Sequence, residues 1–243
     1  MLRHSDVLVV VPAWNEAASI TNVVRDIRLE GFDVLVVDDG SEDRTSTLAK
    51  EAGARVLRLP FNLGVGGALR LGFKFAVANE KVAVIQVDAD GQHSIGDIHK
   101  LMQESNTTGA DMVIGSRFLG SNAGMEISRL RRLAMRLLAK SASRAAGTRL
   151  TDTTSGFRLI RQPLLGQFAQ AFPMNYLGDT FEAVVSAGRA GYSVEEIATE
   201  IRDRRHGQSS ASSWQAAQFT VKAMVVALLH LEPRLLAKNP SRH

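Results

Sequence analysis

Apolar residues fall along this chain in short unbroken runs rather than in alternation. Val7–Val11, Val34–Val37, Arg55–Leu59, Val82–Val87 and Asp111–Gly115 are such runs, rich in β-branched side chains. Unbroken apolar strands are those covered on both faces, as in a parallel sheet between helices. The intervening stretches, Glu16–Leu29, Asp43–Ala52, Gly64–Asn79 and Ile95–Glu104, read as helices. Asp43, with Thr45 and Thr47 after it, suits a helix start, and Gly31 and Gly53 suit helix ends. Strand–helix alternation predicts an α/β fold, a doubly wound and mostly parallel sheet with helices on both faces.

After about residue 116 the rhythm changes. Ser121–Gly124 reads as a loop, Arg129–Ala146 as a basic amphipathic helix, and Thr151–Ile160 as loop followed by a short strand. Asp179–Ala190 reads as a helix, Tyr192–Ile197 as a strand and Trp214–Leu236 as a long final helix. There is no internal repeat and no low-complexity linker. Residues 1–211 are expected to form one domain. Residues 212–243, an amphipathic helix and tail, belong to the same unit and face a membrane or a partner.

Composition narrows the class. The chain has 243 residues, 45% hydrophobic and 22% charged, which fits one or two globular domains and excludes disorder as the main state. With no cysteine there is no disulfide scaffold, thiolate metal site or cysteine nucleophile. Val7–Val11 is too short for a signal-peptide core and is followed at once by Pro12. No run reaches the roughly 20 apolar residues of a spanning helix. The nearest, Ala223–Leu231, is bounded by Lys222 and Glu232. These features lead us to expect a cytoplasmic, non-spanning protein.

The net charge of +4 is unevenly spread. Arg129, Arg131, Arg132, Arg136, Lys140, Arg144 and Arg149 stand between Ile127 and Thr151 with no acid among them. Arg132, Arg136, Lys140 and Arg144 share one helical line, with Leu130, Leu133, Ala134, Leu137 and Leu138 on the other side. A basic amphipathic helix suits a membrane surface, and a solvated helix face is the plainer alternative. Nucleic acid is not expected, because no recognised module is present and no aromatics interleave the charges. In the last helix, Trp214, Ala217, Val221, Met224, Leu228, Leu231 and Leu235 form one apolar stripe. It can pack on the core, lie at a bilayer or meet a small membrane-anchor protein.

Ligands of open α/β sheets bind beyond the carboxyl ends of the strands, and three such ends are distinctive here. The first, Pro12-Ala13-Trp14-Asn15-Glu16, lacks the G-x-G-x-x-G of a dinucleotide site. It offers a ring that can stack on a base, and it also suits a helix cap with Asn15 as N-cap. The second, Asp38-Asp39-Gly40-Ser41, suits a turn, although a turn does not require two carboxylates. The third is Asp88-Ala89-Asp90-Gly91-Gln92. Positions two apart on extended chain point the same way, so Asp88 and Asp90 can face one cation, with Gln92 as a further ligand. Such oxygen ligands beside a diphosphate suit Mg²⁺ or Mn²⁺, and an acidic turn is the alternative. Asn62–Ala68 opens the third helix with three glycines. Its spacing matches no nucleotide-binding motif, and close helix–sheet packing explains it better than a phosphate cradle.

In this order, Pro12–Glu16, Asp38–Ser41 and the D-x-D of Asp88–Asp90 resemble the family 2 glycosyltransferases of GT-A fold. The resemblance continues through Gly115-Ser116-Arg117, Asp152 with Ser155-Gly156-Phe157-Arg158, and Arg204 to Gly207-Gln208-Ser209, and so covers about residues 6–211. The later motifs look most like dolichol-phosphate mannose synthases and bacterial polyprenyl-phosphate sugar synthases. The resemblance implies that Pro12, Ala13, Trp14, Glu16, Val37 and Asp39 line the base and ribose of a nucleotide sugar. It implies that Asp88, Ala89, Asp90 and Gln92 hold the diphosphate and its metal. Arg117 and Arg204 would face donor or acceptor phosphates, which with Asp90 makes the catalytic set, and Arg132, Ser155 and Arg158 would join Arg117 on the acceptor side. Two departures stand out. Trp14 occupies a tyrosine position, and Ser210 occupies a lysine position, which removes one diphosphate-neutralising charge and favours a UDP-hexose or UDP-N-acetylhexosamine over GDP-mannose. The expected activity is inverting transfer to polyprenyl phosphate at the cytoplasmic face of the membrane, for cell-envelope glycan synthesis. A soluble transferase acting on a small phosphorylated acceptor is the alternative.

Overall fold

The computed structural model describes residues 1–119, 129–173, 179–200 and 235, with the side chains of 129–134 and 179 left out. The expected loop at Ser121–Gly124, the side chain of Arg132, Arg204 with its motif and the final helix lie outside these residues. Seven strands form one sheet: β1 (Val7–Ala13), β2 (Asp33–Asp38), β3 (Arg55–Arg58), β4 (Ala83–Gln86), β5 (Met112–Ser116), β6 (Arg158–Arg161) and β7 (Val194–Ala198). Their order is β3-β2-β1-β4-β6-β5-β7. The four strands from β3 to β4 are parallel, as is the β5–β7 pair. The mostly parallel sheet expected from the apolar runs is therefore present, with one exception. β6 runs antiparallel between β4 and β5. Its four residues carry an arginine at each end, so the pattern of an unbroken apolar strand was absent there.

Among the described residues seven α-helices cover the sheet: α1 (Ile20–Leu29), α2 (Thr45–Glu51), α3 (Val65–Ala78), α4 (Asp97–Thr108), α5 (Arg129–Ala146), α6 (Leu164–Ala171) and α7 (Asp179–Arg189). α6, which opens directly after Pro163, was not anticipated. Successive strand residues point to opposite faces, and β1 shows the consequence. Val7, Val9 and Val11 enter the core that includes Ile20, Val24 and Ile27 of α1, while Leu8 and Val10 enter the core that includes Phe73 of α3 and Phe168 of α6. Both faces are thus sealed, which is why every residue of β1 is buried. Leu235 also packs against the second of these cores. Helix α3 approaches the sheet closely at Gly72, where a Cβ would stand 2.5 Å from Val10 Cγ1. Among the described residues no helix is long and apolar enough to cross a membrane.

Candidate active site

The first two distinctive strand ends prove to be one construction. Asp39 N–H donates to the Ala13 carbonyl at 2.8 Å, extending the β1–β2 pairing by one step. Asn15 has φ +56°, and its backbone N–H donates to Ser41 Oγ at 2.9 Å while its Oδ1 accepts from Glu42 N–H at 2.9 Å. Glu16 N–H donates to Thr45 Oγ1 at 2.8 Å and Ala17 N–H to Asp43 Oδ2 at 3.1 Å. Stitching this segment to the start of α2 delays α1 to Ile20, four residues later than the helical pattern began. Asn15 therefore turns the chain and does not cap a helix. The turn leaves the Trp14 ring 46% exposed at the carboxyl end of the sheet.

The two adjacent aspartates have different work. Asp38 is fully buried; it accepts from Ser41 N–H at 2.9 Å and from the Ser46 hydroxyl, and lies 3.7 Å from Arg58 Nε. It braces the turn. Asp39 takes backbone donors, Leu63 N–H at 2.7 Å and Gly64 N–H. Burial pushes its carboxyl above the usual range, those N–H groups pull it back and the Asp38 charge pushes it up again. The donors come from the glycine-rich segment, which crosses so close to Gly40 (φ +73°) that a Cβ there would be 2.8 Å from the Phe61 carbonyl carbon. That segment therefore serves as a wall for Asp39, and Gly67 fits tightly against its Leu63 at 2.7 Å. Packing is the reason for this glycine, as expected, but against its own loop and not against the sheet.

Beyond β4, Asp88 is 39% exposed at its side chain and Asp90 is half-buried. Gly91 turns the chain with φ +73°, and Asp90 Oδ1 accepts from Gln92 N–H at 3.0 Å. Asp88 Oδ2 lies 3.1 Å from His93 Nε2. Burial alone would raise the Asp88 carboxyl. The His93 hydrogen bond, with the charges of His93, Arg117 and Arg158, outweighs burial and holds it below the usual range. Among the described residues no group of three or more acidic or histidine side chains could hold a metal by itself. Two carboxylates and an amide fit a Mg²⁺ or Mn²⁺ ion that takes its remaining oxygens from phosphate and water, the usual habit of these ions beside nucleotides.

Arg117, just past β5, faces this pair. Its Nε and Nη2 make a two-pronged contact with Asp152 at 2.6 and 2.8 Å, Nη2 also reaches Thr154 Oγ1 at 2.8 Å, and its backbone N–H donates to Asp152 Oδ2 at 3.2 Å. Burial opposes the Arg117 charge, but Asp152 and then Asp88 and Asp90 favour it more. Asp152 is fully buried, and Glu196 of β7 holds its loop. Glu196 Oε1 accepts from Asp152 N–H at 2.6 Å and Oε2 from Thr151 N–H at 2.7 Å. Burial pushes the Glu196 carboxyl up, partly offset by these bonds.

Two acceptor-side expectations need correction. Arg158 is 1% exposed, and its guanidinium donates to the carbonyls of Ser155, Thr180 and Thr153 at 2.7, 2.8 and 3.0 Å. It ties a loop to α7 from inside and presents no surface to an acceptor. Ser155, also 1% exposed, accepts from Phe157 N–H at 3.2 Å. Pro12, Ala13 and Val37 are buried at the ends of β1 and β2, and Ala89 is buried in the turn after β4, so their side chains offer little surface to a ligand. Sequence reasoning missed His93, which directly follows the D-x-D-G-Q segment, and Glu196, which stood inside an expected strand with no motif to single it out. It also missed Asp97, whose Oδ2 accepts from Glu200 N–H at 2.8 Å and so fixes the chain at the point where it leaves β7.

Residues 8–168 match the family model described as Glycosyl transferase family 2. The chain is 29% identical over 227 residues to a polyprenol monophosphomannose synthase of Mycolicibacterium smegmatis, covering 88% of this chain and 84% of that one. It is 26% identical over 209 residues to a UDP-N-acetylglucosamine–dolichyl-phosphate N-acetylglucosaminyltransferase of Methanococcus voltae, covering 79% and 83%. Among solved structures, it superposes on glucosyl-3-phosphoglycerate synthase of Mycobacterium tuberculosis, in complex with Mn²⁺, UDP and phosphoglyceric acid. The TM-score is 0.69 at 21% identity, over 93% of this chain and 79% of the other. The fold is thus of the GT-A type that the resemblance implied.

Proposed function

Because this chain belongs to glycosyl transferase family 2, we propose that it moves a sugar from a nucleotide-diphosphate sugar to polyprenyl phosphate, with inversion. The observation that carries this reading is the meeting of the Asp88/Asp90 carboxylates with the Arg117 guanidinium at the carboxyl end of the sheet. One side suits a cation-bound diphosphate and the other an acceptor phosphate. A phosphate oxygen of the acceptor attacks the anomeric carbon as the bond to the diphosphate oxygen breaks. That phosphate is already anionic at neutral pH, so no strong base is needed and the work is alignment and charge neutralisation. A divalent cation on Asp88, Asp90 and Gln92 would offset charge on the departing diphosphate. Trp14 and Asp39 contact the base, Glu16 lies on the ribose side, and Arg204 joins Arg117 at the phosphates. The missing lysine at Ser210 favours a UDP-hexose or UDP-N-acetylhexosamine, with GDP-mannose as the competitor. The related names divide the same way, one specifying mannose and another UDP-N-acetylglucosamine.

The acceptor reading draws on α5. Arg136, Lys140 and Arg144 are exposed along one line and join no ion pair among the described residues, while Leu138 and Ala142 face the core. Leu137, beside Arg136, is 48% exposed. This face suits anionic lipid at the cytoplasmic surface of the membrane, with the segment 212–243 as a second contact or the seat of a small anchor protein. Each basic residue near such a surface contributes about 1 kcal/mol. Changing Arg136, Lys140 and Arg144 together to glutamine is expected to weaken binding to phosphatidylglycerol vesicles about a hundredfold in low salt. Unchanged binding would return α5 to a solvated face. It would favour the second reading, a small phosphorylated acceptor, as in the glucosyl-3-phosphoglycerate synthase whose fold this chain shares.

Label transfer decides between donors and acceptors. UDP-glucose, UDP-N-acetylhexosamines and GDP-mannose would be offered with polyprenyl phosphate and phosphoglycerate together, in Mg²⁺, Mn²⁺ or EDTA. The expected result is cation-dependent labelling of the lipid by one donor. Labelling of phosphoglycerate, with none of the lipid, would overturn the polyprenyl reading.

A further inference from the structure

Asp88 is held by groups to which the transfer reaction assigns no role. Its ionised carboxylate can only accept, so the hydrogen bond from His93 at 3.1 Å places the proton on Nε2. The His93 ring is fixed in turn: it is 8% exposed and stacked on Phe157, with centroids 4.9 Å apart and planes 17° apart. Gly156 completes the enclosure. A Cβ on Gly156 would stand 2.7 Å from Asp88 Cγ and closer still to both carboxylate oxygens. Its φ lies outside the left-handed region, so the backbone does not require glycine here; the carboxylate does.

We propose that His93 is a positioning residue for Asp88, and that Gly156 and Phe157 form the seat against which His93 aims it. The inference rests on the reading of Asp88 and Asp90 as cation ligands. An aspartate on a strand exit has two soft side-chain torsions. The His93 bond fixes one oxygen, Oδ2, and the bare Cα of Gly156 admits the group in that pose. Oδ1, seated beside the same bare Cα, is the oxygen that the His93 bond leaves for a cation. The same seat joins two distant stretches, because Gly156 and Phe157 lead into β6 and Asp88 leaves β4. The D-x-D and S-G-F-R segments therefore meet as carboxylate and mould, and the glycine and phenylalanine of the second serve the first. Outer partners of metal ligands commonly change metal affinity by about 10- to 100-fold when altered.

The test is Mn²⁺ binding to the full chain, read as loss of the free-ion paramagnetic resonance signal, with saturating UDP and separately GDP. The two amides separate a hydrogen bond from mere bulk. The glutamine amide nitrogen reaches the Nε2 position, whereas that of asparagine reaches only Nδ1. His93→Gln is expected to bind within about threefold of the native chain, and His93→Asn and Gly156→Ala about tenfold or more weaker. Thermal unfolding in EDTA would show that each variant is folded. Equal affinity of folded His93→Asn and the native chain would overturn the proposal, as would equal weakening by Gln and Asn. Asp90→Ala distinguishes the failures. Lost binding there with native binding in His93→Asn rejects only the positioning role, whereas native binding in Asp90→Ala rejects the cation reading beneath it.

Discussion

Asp90→Ala is expected to lower sugar transfer by about a thousandfold or more while leaving the fold intact. The size follows from charge. Neutralising a departing diphosphate by a bound cation contributes several kcal/mol, and each 1.36 kcal/mol is about tenfold in rate. Asp90 is also the safer carboxylate to remove. It is half-buried, and its Oδ1 bond to Gln92 N–H costs only about 1 kcal/mol to lose. Asp88 would be a worse choice, because its removal also strands His93. EDTA should reproduce the loss in the native chain and add nothing to the variant. Transfer by Asp90→Ala within tenfold of native, with cation dependence kept, would dismiss the carboxylate pair as the cation site.

Much of this site was legible in the sequence because its chemistry is local. An apolar run that ends in Asp-x-Asp states a strand exit, and Asp88 and Asp90 do follow β4; Ala89 and Asp90 stand in a turn, so strand alternation does not set the direction of the second carboxylate. The adjacent aspartates were harder. Both are buried, and nothing in Asp38-Asp39 says which one braces the turn, because that depends on Ser46 and Arg58 arriving from elsewhere. Arg158 misled for a related reason. The resemblance put Arg158 on the acceptor side, yet three carbonyls of Thr153, Ser155 and Thr180 satisfy it from inside. Backbone acceptors carry no signature in sequence. The short strand expected at the end of Thr151–Ile160 is β6, but its antiparallel direction was hidden similarly, since it depends on the pairing partners β4 and β5. His93, Gly156 and Glu196 act across the fold, on Asp88, on the same carboxylate and on Asp152. Pairs of that kind appear only when the chain is folded.

The second large effect is expected at the Arg117–Asp152 couple, and it has two separable parts. Arg117→Ala should lower kcat/KM by about 10²- to 10³-fold, the loss typical of one preorganised group at developing charge. Asp152→Asn keeps the guanidinium but loosens its aim, so its activity loss should be smaller, about tenfold. Stability should move differently. Arg117→Ala leaves Asp152 buried with only Thr154 and a backbone N–H as donors, a loss of about 3 kcal/mol, at the low end for a broken buried pair because Arg117 is itself 28% exposed. The pH dependence carries a sign. Burial would raise the Asp152 carboxyl, but the hydrogen bonds and charge of Arg117 hold it below its ordinary value. A carboxyl depressed in the folded state contributes its full stability above the unfolded pKa of about 3.9 and loses it as pH falls through the folded value. The stability gap between native and Asp152→Asn should therefore be widest at neutral pH and shrink as the pH drops below about 4. Denaturant unfolding at a series of pH values measures it. A gap that stays constant through that range would mean the couple holds the loop by shape and hydrogen bonding alone. Arg117 would then owe its orientation to Thr154 and the backbone, and Asp152→Asn should transfer at close to the native rate while Arg117→Ala keeps its full loss.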